Sequence, residues 1–181
     1  MQTAEEILQP AEDTFDAPDY SSQVADYFFD KNINFFCDRR LKDGFIHRRA
    51  GLRSLHSVVD PDCHTSASGQ HAAHASRYGK VLHVYPFPTI AADNPKYNPR
   101  GYWRGPIWLD QTYFAIRGLR NYGYNRLADE YTLQVFDRLS GLKEGAPIHE
   151  NYGTHTGERL KAPHFSWSSS HLLMMYDDYG K

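Results

Sequence analysis

The sequence is poor in the features that would declare a compartment, a cofactor or a polyanionic partner. Two cysteines, Cys37 and Cys63, in 181 residues are too few for a disulfide framework, so an oxidising compartment is not implied. No apolar run approaches the roughly 20 residues needed to span a bilayer. The N-terminus lacks the basic start and apolar stretch of a secretion signal. A net charge of −2 favours neither nucleic acid nor an anionic membrane as partner. There is no phosphate-binding glycine loop and no dinucleotide fingerprint. Ser168-Ser169-Ser170 lacks the glycine flanks of a nucleophile elbow. The expectation is a soluble, cytoplasmic protein with no cofactor, no nucleic-acid partner and no membrane partner.

What the chain does have is aromatic surface. Aromatics reach 14%, dominated by 13 tyrosines and 10 phenylalanines. The length suits about one domain by the prior of roughly 100–200 residues. Charge is unevenly spread: residues 1–30 hold Glu5, Glu6, Glu12, Asp13, Asp16, Asp19, Asp26 and Asp30 but no lysine or arginine. A like-charge block of this kind reads as a solvated lead-in. Residues 47–78 differ from the rest. They hold His47, His56, His64, His71 and His74, no Phe or Trp, and a single tyrosine, Tyr78. Neither a helical nor a strand period persists there. Cys63, His64, His71 and His74 are metal-ligating types, but their spacing fits no closed structural site, and no metal is expected.

Before that stretch, residues 20–30 predict a short helix capped by Ser21 or Ser22, and 33–41 an extended piece. The last eighty residues are the most regular. Pro106 stands where a helix would begin. Trp108, Ala115, Leu119 and Tyr122 share a face, and Gly123 is placed to end the helix. A second helix is predicted over 126–139 with the stripe Leu127, Tyr131, Val135 and Leu139. A polar loop, 147–163, follows. A third helix starts at Ser166 and is apolar over most of its circumference, which predicts burial. Three segments result: 1–46, an acidic lead-in with a first helix and extended piece; 47–78, aberrant; and 79–181, helical with the functional residues at the loops.

Those loops carry the chemistry. Tyr102-Trp103-Arg104-Gly105-Pro106-Ile107-Trp108 places three aromatic rings and a guanidinium where a loop turns into a helix. His149-Glu150-Asn151-Tyr152 offers a lone carboxylate in the polar loop. Flat aromatic faces take the C–H side of a sugar, and hydrogen-bonding groups take its hydroxyls. A carboxylate can transfer the proton that breaking a glycosidic bond requires. Trp103 and Trp108 alone would read as core, but the Gly105-Pro106 turn and Arg104 favour a binding mouth. Asp110, in the first helical turn, reads as complementing the helix dipole. Glu158 reads as stabilising its loop, and Trp167 as core.

Taken together, the blocks from Tyr102 to Trp108, Asp110-Gln111, Arg117-Gly118-Leu119, Asn121 to Tyr124, Pro147 to Tyr152, Thr156-Gly157-Glu158 and Ala162 to Ser168 resemble glycoside hydrolase family 63. The resemblance covers roughly residues 85–178 and implies part of an (α/α)6 toroid, an all-α fold with an inverting mechanism. It implies that Glu150 is the general base, that Tyr102, Trp103 and Trp108 line the sugar subsite, and that Arg104 binds sugar hydroxyls or a substrate carboxylate. The implied partner is an α-linked glucoside or mannoside. The family's general acid is an aspartate upstream of the matching blocks. The chain is therefore expected to be the C-terminal portion of a catalytic barrel, inactive alone, with the N-terminal part of that barrel as a further partner. Residues 47–78 carry none of these motifs and have the composition that a shifted reading frame would give.

Overall fold

A computed structural model describes residues 21–30, 32, 35–44, 46–47, 87–90, 92 and 94–181. Residues 1–20 of the acidic lead-in lie outside the described residues. So do residues 48–78, including Cys63, His64, His71 and His74. Of the lead-in's last two acids, Asp26 is exposed, but Asp30 is buried, unlike the solvated block expected. The first elements are short: α1 (Ser21–Phe28), β1 (Phe29–Asp30), β2 (Phe35–Phe36), β3 (Asp38–Arg39) and β4 (Ile46–His47). β1 pairs antiparallel with β2, and β3 with β4. Ser21 is the first helical residue rather than the cap.

Three longer helices build the core: α2 (Leu109–Asn121), α3 (Asn125–Arg138) and α4 (Ser166–Asp178). α2 packs against both of the others. Its buried face includes Tyr113, Ile116 and Leu119, and α3 answers with Ala128, Tyr131 and Val135. Tyr131 also meets Phe87 edge-on, with ring centroids 4.8 Å apart. The expected α3 stripe is the buried one, with Leu127 at its margin. Its four-residue spacing keeps these side chains on one side of the helix. Gly123, at φ +79°, follows α2 in the left-handed conformation that glycine takes without strain.

Three expectations need correction. The fold is not all-α, because the segment 147–163 forms a hairpin of β5 (His149–Tyr152) and β6 (Arg159–Pro163). The sequence there lacks the alternating apolar pattern of a strand. The pairing is set by the turn instead: the Gly153 amide donates to the Glu158 carbonyl, and the Gly157 amide to that of Gly153. α2 begins three residues after Pro106, because Ile107 is held in β-bridges to Pro88 and Tyr152. α4 is not buried all round. Ser168, Leu172 and Met175 face inward, but Leu173 is 69% exposed, and Met174 and Tyr176 also lie at the surface. Described elements cover only one of its faces. No described helix is long and apolar enough to cross a membrane.

Candidate active site

Ile107 ties the aromatic loop to the strand that carries the carboxylate. Its amide donates to the Tyr152 carbonyl (2.7 Å), and the Tyr152 amide donates back (3.0 Å). Tyr102 and Glu150, 48 residues apart in sequence, are thus anchored through one backbone pairing. The loop itself is tight. Asn98 donates its amide to the Arg104 carbonyl (2.7 Å), Gly101 donates to Asn98 (2.8 Å), and Arg104 donates to Gly101 (3.1 Å). Gly105 is required by this approach: a Cβ there would lie 2.2 Å from the Asn98 carbonyl oxygen. The Gly105 amide instead donates to Thr89 Oγ1 (3.0 Å).

Within this loop the rings form a stack. Trp103 lies over Trp108 with centroids 4.0 Å apart and planes 7° apart. Tyr102 stands edge-on to both, at 6.0 Å and 5.0 Å. Trp108 is only 2% exposed, and its indole Nε1 donates to the Tyr102 carbonyl (3.1 Å). It therefore backs the stack rather than offering a face of its own, unlike the expectation for it. Trp103 is 38% exposed, and Tyr102 is similarly open. Trp167, expected in the core, is 46% exposed. The helical turn starting at Ser166 aims it across at Trp108 (5.9 Å, edge-on) and Phe165, away from the face that holds Leu172 and Met175. The mouth thus gains an aromatic ring that the sequence had assigned to the interior.

Glu150 reaches this stack. The Tyr102 hydroxyl donates to Glu150 Oε1 at 2.6 Å. That bond, with minor help from desolvation and the carboxylate charge, holds the Tyr102 phenol above its ordinary pKa. A donor bonded to an anion gives up its proton less readily. Tyr102 adopts φ +60°, a left-handed conformation unusual for a non-glycine residue. Lys161 Nζ lies 5.8 Å from the Tyr102 ring centroid. The remaining candidates separate by position. Arg104 is exposed at the rim. Asp110 is buried in the first turn of α2 and accepts from Gln111 Nε2 (2.7 Å). Glu158 accepts from Arg100 Nε (3.0 Å) and from the Thr156 hydroxyl, within its own turn. Among the described residues, no group of three or more His, Cys, Asp and Glu could hold a metal.

The hairpin adds features that residue types alone did not disclose. His149 Nδ1 lies 3.3 Å from the Leu160 carbonyl, and the His149 amide donates to Tyr152 Oη (3.1 Å). Burial pushes the Tyr152 phenol up in pKa, and the His149 amide bond partly offsets it. Glu150 sits at a break in register between the pairs His149↔Pro163 and Asn151↔Leu160. Asn151 beside it is fully buried.

The architecture is shared with known carbohydrate-active enzymes. It is similar to a GH63 mannosylglycerate hydrolase from Thermus thermophilus solved in complex with glucose, with TM-score 0.73 and 23% identity, over 84% of this chain and 37% of that one. It is also similar to neutral trehalase Nth1 from Saccharomyces cerevisiae, with TM-score 0.67 and 15% identity, over 89% of this chain and 29% of that one. In sequence, the chain is 30% identical over 102 residues to a mannosylglycerate hydrolase of Thermus thermophilus, covering 56% of this chain and 23% of that protein. It is 31% identical over 110 residues to mannosylglycerate hydrolase MGH1 of Selaginella moellendorffii, covering 59% and 22%. The chain therefore matches less than a quarter of the length of these two relatives. Residues 9–168 match the mannosylglycerate hydrolase MGH1-like glycoside hydrolase domain, and the chain belongs to that family.

Proposed function

We propose that the chain supplies the base-bearing side of the sugar site in an inverting glycosidase, as part of an (α/α)6 toroid. The observation that carries this reading is the contact between the Tyr102 hydroxyl and Glu150, 2.6 Å, beside the open Trp103 ring. Glu150 takes a proton from water as that water attacks the anomeric carbon. An acid from another segment of the toroid gives its proton to the leaving oxygen. Inverting pairs stand about 6.5–9.5 Å apart so that the water fits between carboxylate and sugar. Trp103 and Tyr102 hold the ring, with Trp108 stacked behind, and Arg104 takes hydroxyls or a carboxylate on the aglycone. An α-linked mannoside or glucoside is the substrate class. The relatives named for mannosylglycerate and the neighbour solved with glucose support that choice.

One carboxylate cannot protonate a leaving group and deprotonate water in the same step. The 181-residue chain alone is therefore inactive on this reading. Its functional core is the 79–181 portion, with 1–46 contributing the first helix, and its partner is the rest of the barrel. The test is a titration of the chain with glucose, mannose and an aryl α-mannoside, read by tryptophan fluorescence and by release of the aryl group. Expected are a saturable fluorescence change, lost in Trp103→Ala, and no turnover. Turnover that disappears in Glu150→Gln would overturn the dependence on an outside acid. No sugar response at any accessible concentration would overturn the sugar site itself. A second reading, a sugar-binding module with no catalytic part, is favoured by the open rings of Trp103 and Trp167, which can stack on a sugar without Glu150. It predicts the same affinity in Glu150→Gln, and no gain of hydrolysis when the rest of the barrel is supplied.

A further inference from the structure

The carboxylate at residue 150 stands where the hairpin is irregular. Between His149↔Pro163 and Asn151↔Leu160, one residue of β5, Glu150, faces two of β6, Lys161 and Ala162. Lys161 takes φ +62°, a left-handed conformation that one class of bulge uses. Glu150 consequently has no Cα partner in the ladder, and a bulge re-aims the side chain opposite it. The ladder pairing is thus irregular at the residue that carries the carboxylate.

A tie to its backbone comes from α4. The Ser168 hydroxyl donates to the Glu150 carbonyl at 2.9 Å. Nearby, the Phe165 amide donates to the Ile148 carbonyl (3.0 Å), so the start of α4 is stapled to the β5 segment at two points. The ordinary fate of a helical serine is to bond back to its own helix. Ser169 and Ser170 do so, to the carbonyls of Phe165 (3.0 Å) and Trp167 (2.8 Å). Ser168 instead leaves its helix, and it is buried.

We propose that Ser168 is a positioning residue for Glu150: its hydroxyl pins the Glu150 backbone at the bulge and so sets the carboxylate against the Tyr102 hydroxyl. The role of Glu150 as base is taken from the function proposed above, but the geometric link stands without it. Reaction rates fall steeply with misplacement of a reacting group by about 1 Å, so a base at a break in strand register gains from such a tie.

The Tyr102 phenol reports the placement directly. Among the described residues, Glu150 and Lys161 are charged groups that face it. The chain is labelled with 13C at the tyrosine Cζ, the Tyr102 signal is assigned with Tyr102→Phe, and each variant is titrated into alkali. Glu150→Gln sets the end point, a phenol titrating nearer its ordinary value. Ser168→Ala is expected to move the Tyr102 titration most of the way to that end point, and Ser168→Thr, which keeps the hydroxyl, to leave it near the parent. A Ser168→Ala chain with the parent titration overturns the proposal. So does a Ser168→Thr chain that behaves like Ser168→Ala while melting normally. Should Ser168→Ala fail to fold, Ser168→Cys keeps the volume with a weaker donor and carries the same expectation. This readout involves no sugar and no hydrolysis, so its failure is separable from failure of the glycosidase reading.

Discussion

Lys161 occupies a backbone conformation that only glycine takes without cost. Its φ of +62° crowds Cβ against the following carbonyl, a strain of roughly 1–2 kcal/mol for an ordinary side chain. A β-branched residue is worse there. Lys161→Val is therefore expected to lower stability by about 1–2 kcal/mol in urea unfolding, with the bulge opposite Glu150 distorted. Lys161→Gly is expected to cost nothing or to stabilise by up to about 1 kcal/mol, because relief of strain outweighs the freedom that glycine adds to the unfolded chain. Equal losses in the two variants would show that the side chain matters here and the backbone does not. At this scale the sequence disclosed residue types and little geometry. Glu150 and the rings at 102, 103 and 108 could be singled out as candidates because they cluster by type in two blocks that resemble one family, and the structure brings Tyr102 against Glu150. That Trp108 backs the stack while Trp167 opens onto the mouth depends on a rotation about each helix start that composition does not encode. Ser168 was visible only as one of three serines and as the end of a block resembling the family. Its partner lies on a strand 18 residues away.

At the scale of elements, both α3 and the Ser166 start of α4 were legible, but the covered face was legible in α3 and not in α4, for one reason. A four-residue apolar stripe states which side of a helix is apolar, and in α3 Tyr131 and Val135, with Leu139 just beyond, are buried accordingly. α4 is apolar on several sides, so its sequence does not say which side is covered. The β5–β6 hairpin was missed because its register rests on the Gly153–Glu158 turn and on Ile107 pairing with Tyr152. Both contacts join segments that have no local strand pattern. The layered core makes a contrast that can be measured. Ile116 on α2 is fully enclosed, whereas Leu133 on α3 faces solvent. Ile116→Ala is expected to cost about 2–4 kcal/mol, from lost burial plus the cavity left behind. Leu133→Ala is expected to stay within about 0.5 kcal/mol. Denaturant midpoints at unchanged slope would separate the two. A small effect at Ile116 would mean that α2 is not the element on which the other helices pack.

For the molecule as a whole, the buried tyrosines set an alkaline limit. Burial pushes the Tyr131 phenol from 10.0 up to about 12. The folded state therefore holds this proton more tightly than the unfolded state does. The resulting stability is complete below about pH 10 and is lost as pH rises towards about 12, a loss of at most roughly 3 kcal/mol at about 1.36 kcal/mol per unit. Tyr131→Phe removes the titrating group. It is expected to be no more stable than the parent at neutral pH but to lose less between those two pH values, as measured by urea unfolding at each. Parallel pH profiles for the two chains would place the alkaline transition elsewhere.

The exposed side of α4 follows from the same large-scale view. Leu173, Met174, Tyr176 and Tyr179 all lie at the surface on this one element or at its end. In the toroid proposed above each helix is flanked by neighbours, and the chain corresponds to 37% of the GH63 neighbour's length. An apolar face meant for neighbouring helices remains open until they cover it, and open apolar patches drive association. The 181-residue chain is therefore expected to self-associate as its concentration rises, with the sedimentation coefficient increasing across the range. Replacing Leu173 and Tyr176 together with lysine puts two charges on that face without touching Leu172 or Met175 beneath. The double variant is expected to sediment as a monomer and to melt like the parent, since exposed substitutions usually change stability by less than about 0.5 kcal/mol. When the rest of the barrel is supplied, the same variant should bind it more weakly than the parent does. A parent chain that stays monomeric at every concentration, and a variant that pairs with the rest of the barrel as well as the parent, would show that this face of α4 meets water in the complete fold.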